Sequence, residues 1–305
     1  MINPPPIYVV GEVDWLTSQA LYHGLAELNH EAIVLCWPNY PYVSLGCHEP
    51  FEDFCGDSGL PVTRRSVGGS LVYLDPNQVF YQVILRLDRP NGPKSPEGWY
   101  RLALDPVVRY LQGLGKDAEL RLPADILVEG RKISGNAGGQ LGDSIVVVGN
   151  LLCDFSVAKM ASARNVPHPK MRPIFAQSMA RNLTTMREQG MESSVEAVMQ
   201  GLATSFQLAW GARMVAAPWN TWQDVLHKAG SQVCDPKWLI STRTNGSIGS
   251  VKVREGVYLE AVQGPNQGSW IIEKDTVQNV PLRAWRTEPE LSEVSLRDLE
   301  VFSEI

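Results

Sequence analysis

Cysteine and long apolar runs are scarce in this sequence. Its 305 residues include five cysteines, and no two of them form a CxxC pair. A disulfide framework and a tetrathiolate zinc site are therefore both unexpected. No apolar stretch is long enough to span a bilayer, and residues 1–6 lack the basic and apolar regions of a secretory signal. These absences predict a soluble, cytoplasmic protein with no membrane partner.

Positive charge and the common phosphate-binding loops are scarce as well. Lys and Arg total 27 against 33 Asp and Glu, which gives a net charge of -6. Affinity for nucleic acid depends on phosphate neutralisation by Lys and Arg, so no nucleic-acid partner is expected. Neither GxxxxGK[ST] nor GxGxxG occurs, so any nucleotide must be bound by a different kind of site.

The apolar residues, which form 44% of the chain, are numerous enough to build a buried core. Their spacing predicts helices over 17–29, with Thr17 as a plausible N-cap, and over 100–113 and 193–210. We expect these helices to flank a sheet.

Short apolar runs bounded by turn residues predict strands between the helices. Glu129-Gly130, for example, forms a hairpin-type turn between Ile126–Val128 and Arg131–Ser134. Because the strands come in hairpin-like runs instead of regular βαβ alternation, the predicted fold is α+β, with a mixed, mostly antiparallel sheet. This large domain is predicted to cover residues 1–217.

The character of the sequence changes near residue 218. A short helix is predicted over 219–229, and strands separated by turn residues are predicted over 247–253, 256–262 and 268–274. These elements predict a small C-terminal α/β accessory domain over residues 218–305.

The first segment that suggests chemistry contains two adjacent arginines, Arg64 and Arg65, followed by Gly68-Gly69. Glycines allow backbone N–H groups to approach an anion, and arginine offers a planar fork for a carboxylate or phosphate. Adjacent residues of a strand point to opposite faces, so only one arginine can face a pocket unless a bulge intervenes. The same pattern also fits a solvated arginine pair beside a hairpin turn.

The second segment places Lys132 on a strand, just before the small residues Gly135-Asn136-Ala137. Strand alternation predicts Lys132 and Ser134 on one face, and Arg131 and Ile133 on the other. A lysine in this position can hold a positive charge near an acyl carbonyl and a phosphate. The alternative is an exposed lysine in a hairpin, which is the usual environment of this residue type.

Together, the two segments resemble the lipoate–protein ligase family, within the group that also includes biotin ligases and octanoyltransferases. The family pattern is an RRxxGG turn followed by a hydrophobic-Tyr/Phe-x-Asp strand, then a downstream GxKISGxA segment and a Gly-x-Leu-Leu strand. The matching residues are Arg64-Arg65, Gly68-Gly69, Val72–Asp75, Asp125–Leu127, Gly130–Ala137 and Gly149–Leu152. The resemblance covers about residues 15–210 and depends on the joint occurrence of both segments.

The resemblance implies an enzyme that uses ATP and Mg²⁺ to activate lipoate as lipoyl-AMP and then transfers the lipoyl group to a lysine of a carrier protein. Lys132 matches the family's lysine that contacts the lipoyl carbonyl and the α-phosphate, and it is the predicted catalytic residue. Asp125 is predicted to orient Lys132 or to hold Mg²⁺. The predicted substrate- and nucleotide-binding residues are Arg65, Ser66, Gly68, Gly69, Ser70, Tyr73, Asp75, Asp125, Ser134, Gly135, Ala137, Gly149 and Asn150.

Several positions depart from the family pattern. Ser70 stands where the family often has a glycine, and Asn136 replaces the usual serine. Leu74 and Val148 stand where the family often has histidines. The expected carrier is a lipoyl domain or an H-protein-like protein. Because of these departures, a specialised lipoate-binding protein is also a possible carrier.

Two other functions remain open from the sequence. An octanoyltransferase of the same group moves an acyl group through a cysteine thioester and needs no ATP. Its cysteine must lie near the motif lysine, but no cysteine lies between Cys55 and Cys153, and Cys153 is expected in the core. The second alternative is a non-catalytic subunit that binds lipoyl domains, and the presence of Lys132 argues against it.

Overall fold

The computed structural model describes residues 4–241, 250–263 and 269–296. Its strands are β1 (Ile7–Val13), β2 (Ala32–Pro38), β3 (Tyr42–Leu45), β4 (Val62–Arg64), β5 (Val72–Leu74), β6 (Gln78–Arg86), β7 (Ala118–Arg121), β8 (Asp125–Val128), β9 (Arg131–Leu141), β10 (Ser144–Leu152), β11 (Met214–Val215), β12 (Ser250–Arg254), β13 (Val257–Gln263), β14 (Ser269–Asp275), β15 (Val280–Arg286) and β16 (Ser292–Val294). Its helices are α1 (Trp15–Glu27), α2 (Pro96–Gly113), α3 (Val157–Ala163), α4 (Met171–Asn182), α5 (Val195–Trp210), α6 (Trp219–Val233) and α7 (Pro236–Leu239).

The largest sheet has eight strands in the order β11-β1-β2-β6-β10-β9-β8-β7. The pairs β11–β1 and β1–β2 are parallel, and the remaining pairs are antiparallel. Helices α2 and α5 pack on one face, and α1 and α6 pack on the other. Strand β6 shows the alternation: Tyr81 and Val83 join the first core, and Phe80 and Ile84 join the second. The predicted α+β class with a mixed, mostly antiparallel sheet is confirmed.

Two smaller sheets complete the fold of the described residues. One has three strands in the order β4-β3-β5, and the other has the five C-terminal strands β12 to β16 in sequence order. A third apolar cluster joins them, because Val43 of the first sheet, Phe175 of α4 and Leu259 of the second sheet belong to the same core. The C-terminal sheet therefore lies against α4, whose end is followed by Leu183 in a bridge with Lys132.

The predicted C-terminal strands correspond to β12, β13 and β14. Residues 247–249 of the first predicted strand and residue 268 of the third lie outside the described residues. Helix α6 packs Trp222 against Tyr8 of β1, with ring centroids 4.8 Å apart. The α6 helix thus contributes to the core of the large sheet, and the division of the chain at residues 217 and 218 stays a prediction.

Helix α1 begins two residues before the predicted start. Its N-cap is Asp14 and not Thr17, because the Asp14 carboxylate accepts a hydrogen bond from the backbone N–H of Leu16 at 2.9 Å. Helices α3 and α4 are not predicted at all, since Pro173 and basic residues interrupt their apolar spacing. Within the ranges given above, no helix combines the length and apolar character needed to cross a membrane.

Candidate active site

A cavity of about 280 Å³ lies where the arginine–glycine segment and the Lys132 segment meet the C-terminal sheet. This volume is close to the lower end of the roughly 300–1,000 Å³ range of small-molecule pockets. Its wall combines apolar side chains with polar ones and includes one end of the β12–β13 hairpin. The predicted site residues in the wall are Arg65, Gly69, Ser70, Tyr73, Asp125, Lys132, Gly135, Ala137, Gly149 and Asn150. The two sequence segments therefore meet at one cavity.

Lys132 and Asp125 form an ion pair in the wall of this cavity. The Lys132 Nζ atom lies 2.8 Å from Asp125 Oδ1, and the side chains are 21% and 4% exposed, respectively. The β8–β9 hairpin brings them together across its tight turn, in which Glu129 and Gly130 both have positive φ. The partly exposed ammonium group is thus held in one place by a carboxylate that is almost fully buried.

A β-bulge changes the predicted facing of strand β9. Ile126 pairs with Ser134 but Leu127 pairs with Lys132, so Ile133 has no partner of its own. The extra residue places Lys132 and Ser134 on opposite faces of the sheet. Lys132 lines the cavity. The Ser134 hydroxyl hydrogen-bonds to the hydroxyl of Tyr81, which belongs to the core between the sheet and helices α2 and α5. The prediction that Lys132 and Ser134 share a face is wrong.

Asn136 and Asn150 organise the floor of the cavity. The Asn136 amide oxygen accepts a hydrogen bond from Tyr81, and its Nδ2 donates to the Ala124 carbonyl. A Cβ atom at Gly149 would lie 1.9 Å from Asn136 Oδ1, so this packing requires glycine there. Asn150 Oδ1 accepts from the Gly135 backbone N–H at 3.2 Å. The two amides fix strands β9 and β10 beside Lys132.

The guanidinium group of Arg65 binds backbone carbonyls. Its Nη1 donates to Ser44 O at 2.8 Å, its Nη2 donates to Ser70 O at 2.7 Å, and both Nε and Nη2 donate to Gly68 O. Gly69 has φ +90°, and a Cβ there would lie 2.7 Å from Arg65 Nη2. Arg65 therefore lines the cavity, but its guanidinium N–H groups bind backbone carbonyls of the glycine turn and of Ser44. They do not point to the anion that the sequence analysis predicted as their ligand.

Arg64 points away from Arg65, as strand alternation predicts. Its Nη1 donates to the carbonyls of Gly46 and Glu49, and its Nε and Nη2 donate to Leu239 O. Both arginines are buried, so the alternative of a solvated arginine pair is wrong.

Four predicted site residues lie outside the cavity wall. Ser66 donates its backbone N–H to His23 Nε2, Gly68 bonds to Arg65 through its carbonyl, and Ser134 faces Tyr81. Asp75 Oδ1 accepts a hydrogen bond from the backbone N–H of Asn77 at 2.9 Å in the following turn. These residues support the two segments without lining the cavity.

His23 supports the arginine turn from helix α1, a contact that the sequence does not reveal. Its Nε2 accepts the Ser66 N–H at 3.0 Å, and its Nδ1 bonds to Gln19 O at 2.8 Å. Burial lowers the pKa of His23 to about 4, so the ring is neutral near pH 7. A neutral ring with one acceptor nitrogen is the form that this arrangement requires.

The cavity wall also contains a polar side chain from strand β6 that the sequence analysis missed. Gln82 is 2% exposed and donates its Nε2 to Ser18 O at 2.6 Å. Tyr22 and Ser44 line the same region. No sequence motif marks these residues, because they come from three separate elements and have ordinary core spacing.

The donor set of the cavity does not fit a metal held by protein groups alone. Both oxygens of Asp125 are already bound, one by Lys132 and the other by the backbone N–H of Glu255 at 2.9 Å. Across residues 4–241, 250–263 and 269–296 there is no cluster of three or more His, Cys, Asp or Glu side chains that could hold an ion. Of the two roles predicted for Asp125, the geometry favours orientation of Lys132.

Comparisons with a family model and with curated proteins point to the same family. A family model for the lipoyl protein ligase A/B catalytic domain matches residues 11–207. A probable lipoate-protein ligase A of Mycoplasma pneumoniae is 30% identical over 125 residues, covering 41% of this chain and 36% of that protein. An octanoyltransferase LipM of Kyrpidia tusciae is 26% identical over 179 residues, covering 51% of this chain and 65% of that protein. The match thus spans about a third of the length of the ligase.

Solved structures share the fold. A bi-partite lipoate protein ligase from Thermoplasma acidophilum, studied with its E2 lipoyl domain, has a TM-score of 0.70 at 16% identity, covering 80% of this chain and 99% of that chain. A lipoate-protein ligase A bound with ATP has a TM-score of 0.64 at 16% identity, covering 78% and 98%. With the matched segment spanning both motifs and the Lys132–Asp125 pair, the chain belongs to the lipoyl protein ligase A/B catalytic-domain family.

Proposed function

We propose that this protein is an ATP-dependent lipoate–protein ligase. The observation that carries the proposal is the Lys132 ammonium group, held by Asp125 at 2.8 Å in the wall of the cavity. A fixed positive charge in such a position stabilises negative charge that develops during acyl activation. The ATP-bound relative with the same fold adds support for a nucleotide as the second substrate.

The proposed reaction has two steps. In the first, a carboxylate oxygen of lipoate attacks the α-phosphorus of ATP, and pyrophosphate leaves with the electrons of the broken P–O bond. In the second, a lysine amine of the carrier attacks the acyl carbonyl, loses a proton, and AMP leaves. Negative charge grows on the phosphoryl oxygens in the first step and on the carbonyl oxygen in the second, and Lys132 can stabilise both.

The acyl chain requires an apolar part of the cavity. Val72, Leu74, Phe80, Ala137 and Val148 supply apolar surface in the wall. Burial of apolar surface favours binding by roughly 25 cal/mol per Å² removed from water. These side chains are therefore the proposed contacts of the lipoyl chain, with its carboxylate directed toward Lys132.

Magnesium enters the proposal as an ion carried by the phosphates of ATP. This cation is usually held by substrate phosphates and one or two carboxylates. Because Asp125 is engaged with Lys132 and with the Glu255 N–H, we assign it no ligand role.

The proposal is tested by ATP–pyrophosphate exchange with the purified protein. We expect isotope from labelled pyrophosphate to enter ATP only when lipoate is present, because exchange requires reversible formation of lipoyl-AMP. A thioester mechanism predicts no exchange under any condition, and so does a non-catalytic binding subunit. Exchange that does not require an acyl substrate would also contradict the proposal.

The cysteine-thioester alternative is tested by Cys153→Ser. Cys153 is 1% exposed, burial raises the pKa of its thiol to about 12, and among the described residues no cysteine lines the cavity. A buried, protonated thiol is a poor nucleophile. We expect this variant to retain most of its lipoate-dependent activity, although the buried hydroxyl should lower stability by about 1–3 kcal/mol.

Cys36→Ser provides the matched control, because Cys36 is also fully buried and its thiol pKa is likewise raised to about 12 by burial. Activity of both variants is compared with their far-ultraviolet circular dichroism. Complete loss of activity in a folded Cys153→Ser protein, with Cys36→Ser active, would support the thioester mechanism instead.

The proposed partner is a lipoyl domain or an H-protein-like carrier, or a specialised lipoate-binding protein. The Thermoplasma ligase of the same fold was studied with its E2 lipoyl domain, which supports this class of partner. A panel of carrier domains, assayed by gel shift with and without ATP, identifies the acceptor.

A further inference from the structure

The β12–β13 hairpin of the C-terminal sheet reaches the wall of the cavity. Lys252, Val253 and Glu255 line it together with Lys132 and Asp125. These residues lie more than a hundred positions further along the chain. The C-terminal sheet is therefore part of the same site as the two sequence motifs.

The contact that joins the hairpin to the site is a backbone hydrogen bond. The N–H of Glu255 donates to Asp125 Oδ2 at 2.9 Å, across 130 residues of sequence. The other oxygen of the same carboxylate pairs with Lys132 Nζ at 2.8 Å. Asp125 is thus bound on one side by the C-terminal sheet and on the other by the lysine.

We propose that the β12–β13 turn positions Lys132 through Asp125, with Glu255 N–H as the positioning group. The kinetic part of this inference rests on the proposed ligase function. Without the Glu255 donor, a buried carboxylate oxygen loses its hydrogen bond, which is costly for a charged acceptor. The carboxylate then rotates toward another donor and no longer fixes the ammonium group.

The side chain of Glu255 contacts a different residue from its backbone N–H. Substitutions can therefore test the side chain and the backbone N–H separately. Its carboxylate pairs with Lys252 Nζ at 2.6 Å, with both side chains 26% exposed. Glu255→Ala removes this pair but keeps the backbone N–H. Glu255→Pro removes both, because proline has no N–H.

The backbone conformation of the turn is compatible with proline. Arg254 pairs with Val257, so Glu255 and Gly256 form a two-residue turn. Gly256 has φ +77°, and Glu255 is not among the non-glycine residues with positive φ. Turns of type I or II tolerate proline at the first of their two central positions.

We expect kcat for lipoate-dependent pyrophosphate release to be about tenfold or more lower in Glu255→Pro than in Glu255→Ala, as for loss of a hydrogen bond to a charged group. The KM values for ATP and lipoate should differ between the two variants by less than about twofold, since binding groups are the same in both. A smaller folded fraction would also lower the apparent kcat without changing KM, so the rates are compared per folded molecule, with the folded fraction taken from circular dichroism. Equal kcat in the two folded variants would overturn the inference.

A second measurement does not depend on catalysis. Reductive methylation of Lys132, followed by mass spectrometry, reports how firmly Asp125 holds the amine. Labelling should be faster in Glu255→Pro than in Glu255→Ala, and equal rates would contradict the positioning role. If the wild-type protein releases no pyrophosphate with lipoate, the proposed function fails, and the labelling rates still decide the positioning role.

The proline ring also adds a carbon atom where the hydrogen was, next to Asp125. A backbone ester at residue 255, introduced with the α-hydroxy acid, replaces N–H with oxygen and adds no bulk. It should reproduce the lower kcat and the faster labelling. An ester variant that behaves like the wild-type protein would overturn the inference even if the proline variant does not fold.

Discussion

Lys132→Ala should lower lipoate-dependent pyrophosphate release by roughly 10²–10³-fold or more, the range seen when a group that stabilises transition-state charge is removed. The ammonium group is the cation that the Asp125 carboxylate holds in the cavity wall. Alanine removes this charge and leaves the cavity open to water. Steady-state kinetics with saturating ATP and lipoate measure the effect.

The fold of Lys132→Ala should remain intact. The Lys132 side chain is 21% exposed, so its removal admits water, and Asp125 keeps its hydrogen bond from the Glu255 N–H. Lys228→Ala is the matched control, because this lysine is 67% exposed on α6 and pairs only with Glu27 among the ion pairs described. Wild-type rates in a folded Lys132→Ala protein would remove the basis of the ligase proposal.

The second large effect is expected from Arg65→Met, which should lower the free energy of unfolding by about 3 kcal/mol or more. Arg65 is 4% exposed and ties together the carbonyls of Ser44, Gly68 and Ser70. Methionine fills much of the volume but donates no hydrogen bond, so these carbonyls lose their donors in a buried environment. Each unpaired buried carbonyl destabilises the native state.

Urea unfolding followed by tryptophan fluorescence measures this change. Arg86→Met is the control, because Arg86 forms an exposed ion pair with Asp88, and its side chain is 49% exposed. Exposed pairs of this kind contribute roughly 0–1 kcal/mol, so the control should unfold near the wild-type midpoint. Equal midpoints for the two variants would mean that the carbonyl contacts of Arg65 contribute little to stability.

Local patterns predicted the hairpin that carries Lys132, whereas the role of Asp125 beside it was implied by the family resemblance. Glu129-Gly130 between two apolar runs indicated a hairpin, and a hairpin of that length brings Asp125 near Lys132. The face of the sheet on which Ser134 lies could not be predicted from local patterns. A single bulged residue, Ile133, reverses the side of the strand on which Ser134 lies, and no residue type marks that bulge in advance.

The contribution of the C-terminal sheet could not be predicted for a different reason. Its link to the site is a backbone N–H, that of Glu255, and every residue except proline has one. Arg65 illustrates a related limit. An arginine at this position indicated a guanidinium group that binds an anionic ligand. Whether the guanidinium group binds a ligand or the protein's own carbonyls depends on the conformation of the surrounding loop.

The packing of α6 bears on how the protein can be shortened for study. Trp222 and Leu226 cover apolar residues of β1 and α1, and Arg64 binds the carbonyl of Leu239. A chain cut at the predicted boundary after residue 217 would expose this apolar surface to water and to other copies of itself. A form that ends at residue 241 keeps this surface covered but uncovers the third apolar cluster, in which Phe175 of α4 packs with Leu259 of the C-terminal sheet, so only the longer chain keeps both surfaces covered.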